Sequence, residues 1–142
     1  MAEPVRILII DDDPDFKASV RSLLESRGCL VFEADSGREG LEKLPECKPD
    51  LILLDVMMES SSEGYGVNQA IKWREEFAAY RNIPVVMVSS IQQEPDEMFP
   101  MAGELEMIRP DFYVRKPLDI PAFLASLDRV LPGRILSGTE PR

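Results

Sequence analysis

Val5-Arg6-Ile7-Leu8-Ile9-Ile10-Asp11-Asp12-Asp13-Pro14 is a short, largely β-branched apolar run halted by three acids and a proline. A run of this length and character, ending abruptly at polar residues, is the mark of a buried parallel strand that stops at a solvated edge. Pro14 sits well at a first helical turn, with Asp13 as N-cap and Asp15 inside that turn. Phe16, Val20, Leu23 and Leu24 then share one helical face until Gly28 ends it. Strand, acidic stop and helix within 28 residues set the pattern for the remainder.

The same alternation repeats along the chain. Residues 30–34 read as a second strand, and Ser36 caps a second helix whose apolar side carries Leu41 and Leu44 and which is expected to end near Pro45. Leu51-Ile52-Leu53-Leu54 is a third strand, again halted by an acid, Asp55. Residues 57–66 have neither helical nor strand period and are rich in small polar side chains, which predicts a loop. Val67, Ala70, Ile71, Arg74 and Phe77 predict a third helix to about residue 79, and Pro84-Val85-Val86-Met87-Val88 a fourth strand stopping at Ser89. Residues 91–109 are ambiguous, since Pro95 and Pro100 interrupt them although Met101, Leu105 and Ile108 could line a helix. Phe112-Tyr113-Val114 is a fifth strand ended by Lys116-Pro117, and Ile120, Phe123, Leu124, Leu127, Val130 and Leu131 form an amphipathic last helix. Residues 1–131 are expected to form one domain and 132–142 a frayed tail.

Five strands alternating with helices predict an α/β, doubly wound parallel sheet with helices on both faces, because parallel neighbours need right-handed crossovers. Ligands of such sheets bind beyond the carboxyl ends of the strands. That rule gathers Asp11, Asp12, Asp55, Ser89 and Lys116 at one place. Three carboxylates need a cation, and magnesium, which takes oxygen ligands and keeps several waters, suits this set. With a hydroxyl and an ammonium beside them they make a receptor for a phosphoryl group, one carboxylate attacking while the cation and lysine meet the charge. Asp55 emerges singly from the most apolar strand and is assigned as nucleophile, while the adjacent Asp11 and Asp12 suit metal.

Composition narrows the chemistry. The 142 residues contain 16 Lys+Arg, 26 Asp+Glu and no histidine, for a net charge of −10. Histidine-dependent triads, Cys/His zinc sites and an internal phosphohistidine are excluded, and so large an acidic excess argues against direct nucleic-acid binding. No apolar stretch approaches the roughly 20 residues of a membrane helix, so the expectation is a protein of the cytoplasm, with Cys29 and Cys47 reduced.

Taken in order, Ile7-Leu8-Ile9-Ile10-Asp11-Asp12-Asp13-Pro14, Leu51-Ile52-Leu53-Leu54-Asp55-Val56-Met57-Met58, Val85-Val86-Met87-Val88-Ser89-Ser90 and Val114-Arg115-Lys116-Pro117-Leu118 closely resemble the receiver domain of two-component response regulators, over residues 5 to 131. The resemblance implies a flavodoxin-like strand order 2-1-3-4-5 and a phosphoryl group accepted by Asp55 from the phosphohistidine of a histidine kinase or phosphotransfer protein. It further implies Mg2+ held by Asp11, Asp12, Asp55 and the main-chain carbonyl of Met57, phosphoryl contacts from Lys116 and Ser89, and a cis peptide before Pro117. Ser89 and Tyr113 match the family's switch pair, which alters the face of the fourth helix, fifth strand and fifth helix that downstream proteins read.

The chain also departs from that pattern. Residues 59–66, a serine-rich loop, replace a shorter Pro-containing one, and residues 91–111 are longer than the family norm. Met57 and Ile91 are apolar where polar side chains of the family orient water, which predicts slow autodephosphorylation. With only residues 132–142 after the last helix, a stand-alone receiver acting through protein contact is the expectation. Two alternatives stay open: a receiver-fold scaffold that works without phosphorylation, and a haloacid-dehalogenase-type phosphatase built on the Asp-x-Asp of residues 11–13.

Overall fold

In the computed structural model, described for residues 4–55, 67, 70–89, 112–115 and 118–132, five parallel strands run in the order β2-β1-β3-β4-β5. They are β1 (Arg6–Ile10), β2 (Leu30–Ala34), β3 (Leu51–Asp55), β4 (Val85–Ser89) and β5 (Phe112–Arg115). The first crossover carries helix α1 (Pro14–Ser26) and the second α2 (Gly37–Cys47), and a last helix, Ile120–Val130, follows β5. The expected α/β doubly wound sheet and its strand order are both present.

The strands look uniformly apolar in sequence because each feeds two cores. Ile7 and Ile9 of β1, with Leu51 and Leu53 of β3 and Val86 of β4, pack against Val20 and Leu24 of α1 and Phe123 and Leu127 of the last helix. Leu8, Ile10, Ile52, Leu54, Val85 and Met87 face the other way, onto Leu44 and Cys47 of α2 and onto Val67 and Ile71. Alternate side chains of a strand point to opposite faces, so a parallel strand covered on both sides has no polar face to show. Full burial of each such Leu or Ile stabilises by about 1.5–3 kcal/mol. Helix α2 lies so close to β1 that a Cβ built on Gly40 would come within 2.3 Å of Ile10 Cδ1.

The helix starts follow the expected chemistry. Asp13 caps α1, its carboxylate accepting from the backbone N–H groups of Asp15 and Phe16, with Pro14 in the first turn. Ser36 caps α2 by accepting from Glu39 N–H at 3.1 Å; the last helix has a cap that the sequence reading did not name, Asp119.

Two boundaries differ from the sequence expectation. Helix α2 continues through Pro45 to Cys47, and the left-handed Lys48 (φ 46°) ends it, its N–H donating to Leu44 O at 2.9 Å. Proline in a final turn forfeits one hydrogen bond, and burial of Leu44 and Cys47 beyond and beside it keeps the turn in place. The helix expected over 67–79 is broken: residues 67 and 70–73 are helical, Arg74 is extended (φ −78°, ψ 137°), and a 3-10 helix covers Glu75–Tyr80. An unbroken helix would have placed the Arg74 guanidinium on the apolar face. The helix breaks there instead: Phe77 and Tyr80 still pack on the core, and the Arg74 guanidinium lies over the Phe77 ring at 5.4 Å. The ambiguous segment 91–109, the loop 59–66 and the tail beyond residue 132 lie outside the described residues.

Candidate functional site

The carboxyl ends of β1 and β3 carry the site. Ile10 is in register with Leu54, so the next residues on these adjacent strands, Asp11 and Asp55, leave the sheet side by side. Both are buried, at 1% and 5% exposure, whereas Asp12 is exposed. One carboxylate oxygen from each of the three lies within 4.8 Å of the others. Asp11 is held from two sides: its N–H donates to Ala34 O at 3.0 Å, and its Oδ1 accepts from Asp13 N–H at 2.9 Å. The same Asp13 caps α1, so the acidic pair is fixed to the strand behind it and the helix ahead of it.

Three like charges at this spacing favour a bound cation, and the donor set fits a hard divalent ion. Ligands at about 2.1 Å on an octahedral ion are separated by up to ~4.2 Å across it, close to the spread of these oxygens. Asp11, Asp12 and Asp55 could therefore hold such an ion by small side-chain adjustments, with water or another oxygen ligand completing the shell.

Of the other expected site residues, Ser89 ends β4 next to β3: Asp55 pairs with Val88, one residue before it. Tyr113 lies on β5 opposite Met87. These are backbone placements, and the side chains of both residues lie outside the described set. Met57, Lys116, Pro117 and Ile91 lie outside it entirely, so the Met57 carbonyl, the Lys116 ammonium and the peptide before Pro117 remain expectations. Cys29 and Cys47 are both free and buried. Burial pushes the Cys29 thiol up to about 11, which keeps it protonated and unreactive.

Sequence reasoning missed Lys17. It is buried to 5% exposure in the second turn of α1, and its ammonium pairs with Asp35, the residue directly after β2. The spacing Lys17, Val20, Leu24 places it on the face that α1 turns toward the sheet, and that spacing was the available signal. Asp35 is tied further: its N–H donates to Glu39 Oε1 at 2.7 Å, and Glu39 pairs with Lys43 at 3.1 Å. The Lys17 ammonium holds the Asp35 carboxyl below its ordinary range.

A doubly wound parallel sheet with an acidic trio at the carboxyl ends of its first and third strands defines a class of small phosphoryl-responsive α/β domains. Residues 7–128 match the response regulator receiver domain, and the chain belongs to that family of phosphorelay signalling receivers. Protein PilH of Pseudomonas aeruginosa is 32% identical over 128 residues, covering 90% of this chain and 98% of PilH. The polar-differentiation response regulator DivK of Brucella anthropi is 29% identical over 131 residues, covering 90% and 97%. Among solved structures, the N-terminal domain of a response regulator receiver protein from Methanoculleus marisnigri is 33% identical at a TM-score of 0.64, covering 89% of this chain and 95% of that one. The chemotaxis protein CheY4 of Vibrio cholerae shares the fold at a TM-score of 0.75 and 24% identity, covering 89% and 98%. No helix among the described residues is long and apolar enough to cross a membrane.

Proposed function

We propose that Asp55 is the phosphoacceptor of this receiver, taking a phosphoryl group from the phosphohistidine of a histidine kinase or phosphotransfer protein. The observation that carries this reading is the convergence of Asp11, Asp12 and Asp55 at the ends of two neighbouring strands. A carboxylate oxygen of Asp55 attacks phosphorus, the P–N bond to the donor imidazole breaks, and the donor nitrogen keeps the bonding pair. Asp11, Asp12 and Asp55, with the Met57 carbonyl, would hold Mg2+, which when bound neutralises charge on the transferring oxygens. Asp11, fixed by Ala34 and Asp13, keeps the ligand pair in place, and the neighbouring buried strands exclude water from the rear of the acceptor.

Lys116 and Ser89 are assigned to the phosphoryl oxygens, and Ser89 with Tyr113 to the switch. The output is a change in the face formed by the fourth helix, fifth strand and fifth helix, read by a downstream protein. The absence of histidine from the chain suits an acceptor whose donor is another protein.

Intact mass after incubation with acetyl phosphate and Mg2+ tests the reading. Wild type should gain one phosphoryl group and Asp55→Asn none. Addition to neither protein would favour the phosphorylation-independent scaffold. Phosphate-ester turnover lost in Asp11→Asn but kept in Asp55→Asn would favour the phosphatase.

A further inference from the structure

Lysine is almost never fully buried without a partner, because removing an ammonium from water costs several kcal/mol. Lys17 is buried although its stem is long enough to carry the charge outward, and the partner it reaches, Asp35, has a side chain 77% exposed. Solubility of α1 does not require this arrangement. Nor does fastening α1 to β2, since Arg21 of α1 already pairs with Glu33 of β2 at 2.8 Å, one turn farther along the helix.

What distinguishes the Lys17–Asp35 pair is its place. Lys17 N–H donates to Asp13 O, Asp13 N–H donates to Asp11 Oδ1, and Asp11 N–H donates to Ala34 O, the residue before Asp35. The ion pair thus closes a ring of contacts through Lys17, Asp13, Asp11, Ala34 and Asp35. Asp12 lies within that ring and is the exposed member of the acidic trio. Its two chain neighbours, Asp11 and Asp13, are both members of the ring. Asp35 is braced in turn by Glu39 and Lys43 of α2.

We propose that Lys17 is a positioning residue for the divalent cation: its ion pair with Asp35 holds the Asp11-Asp12 turn in the arrangement that binds the metal. The inference rests on the reading of Asp11, Asp12 and Asp55 as metal ligands. Lys17 and Asp35 act through the turn and touch neither the cation nor the phosphoryl group.

Calorimetric titration of the full chain with MgCl2 tests it, without any phosphodonor. Asp35→Asn and Lys17→Met should each weaken Mg2+ binding about tenfold, the low end of the effect of partners that orient metal ligands. Arg21→Gln, which opens the other α1–β2 fastening, should leave binding within about twofold of wild type. Phosphorylation by acetyl phosphate at saturating Mg2+ should stay within about twofold for Asp35→Asn, so that the loss falls on metal affinity and not on the acceptor. Asp35 is exposed, so its variant carries the test if Lys17→Met does not fold. Unchanged affinity in Asp35→Asn, or equal weakening in Arg21→Gln, would overturn the proposal. A wild-type protein that binds no Mg2+ would overturn the metal-site reading itself, which the wild-type titration shows before any variant is compared.

Discussion

The two ends of the sheet treat charge in opposite ways. At the amino ends of the strands, Arg6 is fully engaged by the fold: its guanidinium Nε donates to Cys47 O at 2.6 Å and lies 4.9 Å from the centre of the Phe32 ring, while its N–H donates to Asp50 Oδ2. At the carboxyl ends, Asp11, Asp12 and Asp55 are gathered within 4.8 Å of one another, two of them buried. One end matches opposite charges and dipoles, which favours the folded chain. The other brings three like charges together, and their mutual repulsion works against the folded chain. The contrast separates charges that the fold pairs from charges that the proposed metal site would use.

Three measurements would break or sharpen that contrast. The largest effect is expected at the amino end: Arg6→Ala removes a charged hydrogen bond and a cation–π contact and should lower the unfolding free energy by about 2–3 kcal/mol in urea titration. Its phosphorylation yield should match wild type while the protein is folded; a loss of yield would show that the two ends are not independent. At the carboxyl end the sign should reverse. Asp11→Asn keeps an oxygen for Asp13 N–H but relieves repulsion, so stability in metal-free buffer should rise by about 1 kcal/mol, the weak end of like-charge repulsion at this separation. Added Mg2+ should then no longer raise the melting temperature. Lower stability of this variant without metal would mean that Asp11 serves folding after all.

The smallest effect is expected between the two ends, in the ion pairs around β2. Lys17 lowers the pKa of Asp35, and the Asp35 N–H followed by Lys43 lowers that of Glu39. Both carboxyls are depressed in the folded state, so their contribution is complete above their ordinary values of 3.8 and 4.5 and is lost as pH falls through the folded values. Unfolding free energy measured from pH 7 downward should therefore separate wild type from the Asp35→Asn/Glu39→Gln double variant near neutrality, with the gap closing below about pH 4. A gap that persists unchanged into acid would show that these pairs are not the source of the dependence.

How much of this was legible beforehand depends on how far apart the interacting residues lie. The five strands could be read because a doubly covered parallel strand announces itself as an unbroken apolar run, as in Ile7 to Ile10 and Leu51 to Leu54. The helix caps Asp13 and Ser36 could be read because they act on backbone groups two or three residues away. Arg74 was misplaced because helical periodicity counts positions without asking what a charge on the apolar face would cost. Pro45 reads as a terminator because its local penalty is visible in the sequence and the burial of Leu44 and Cys47 is not.

The amino-acid sequence by itself determined the alternation of strands and helices, the acidic stops after β1 and β3 and the exclusion of histidine chemistry, because these depend on residue type and on spacing within a few positions. The strand-end rule already gathers Asp11, Asp12 and Asp55 at one sheet edge; only the tertiary structure decided their register and spacing, and that Lys17 turns inward to Asp35. Strand register and helix docking set those contacts across 44 and 18 residues of chain, and no local periodicity encodes them.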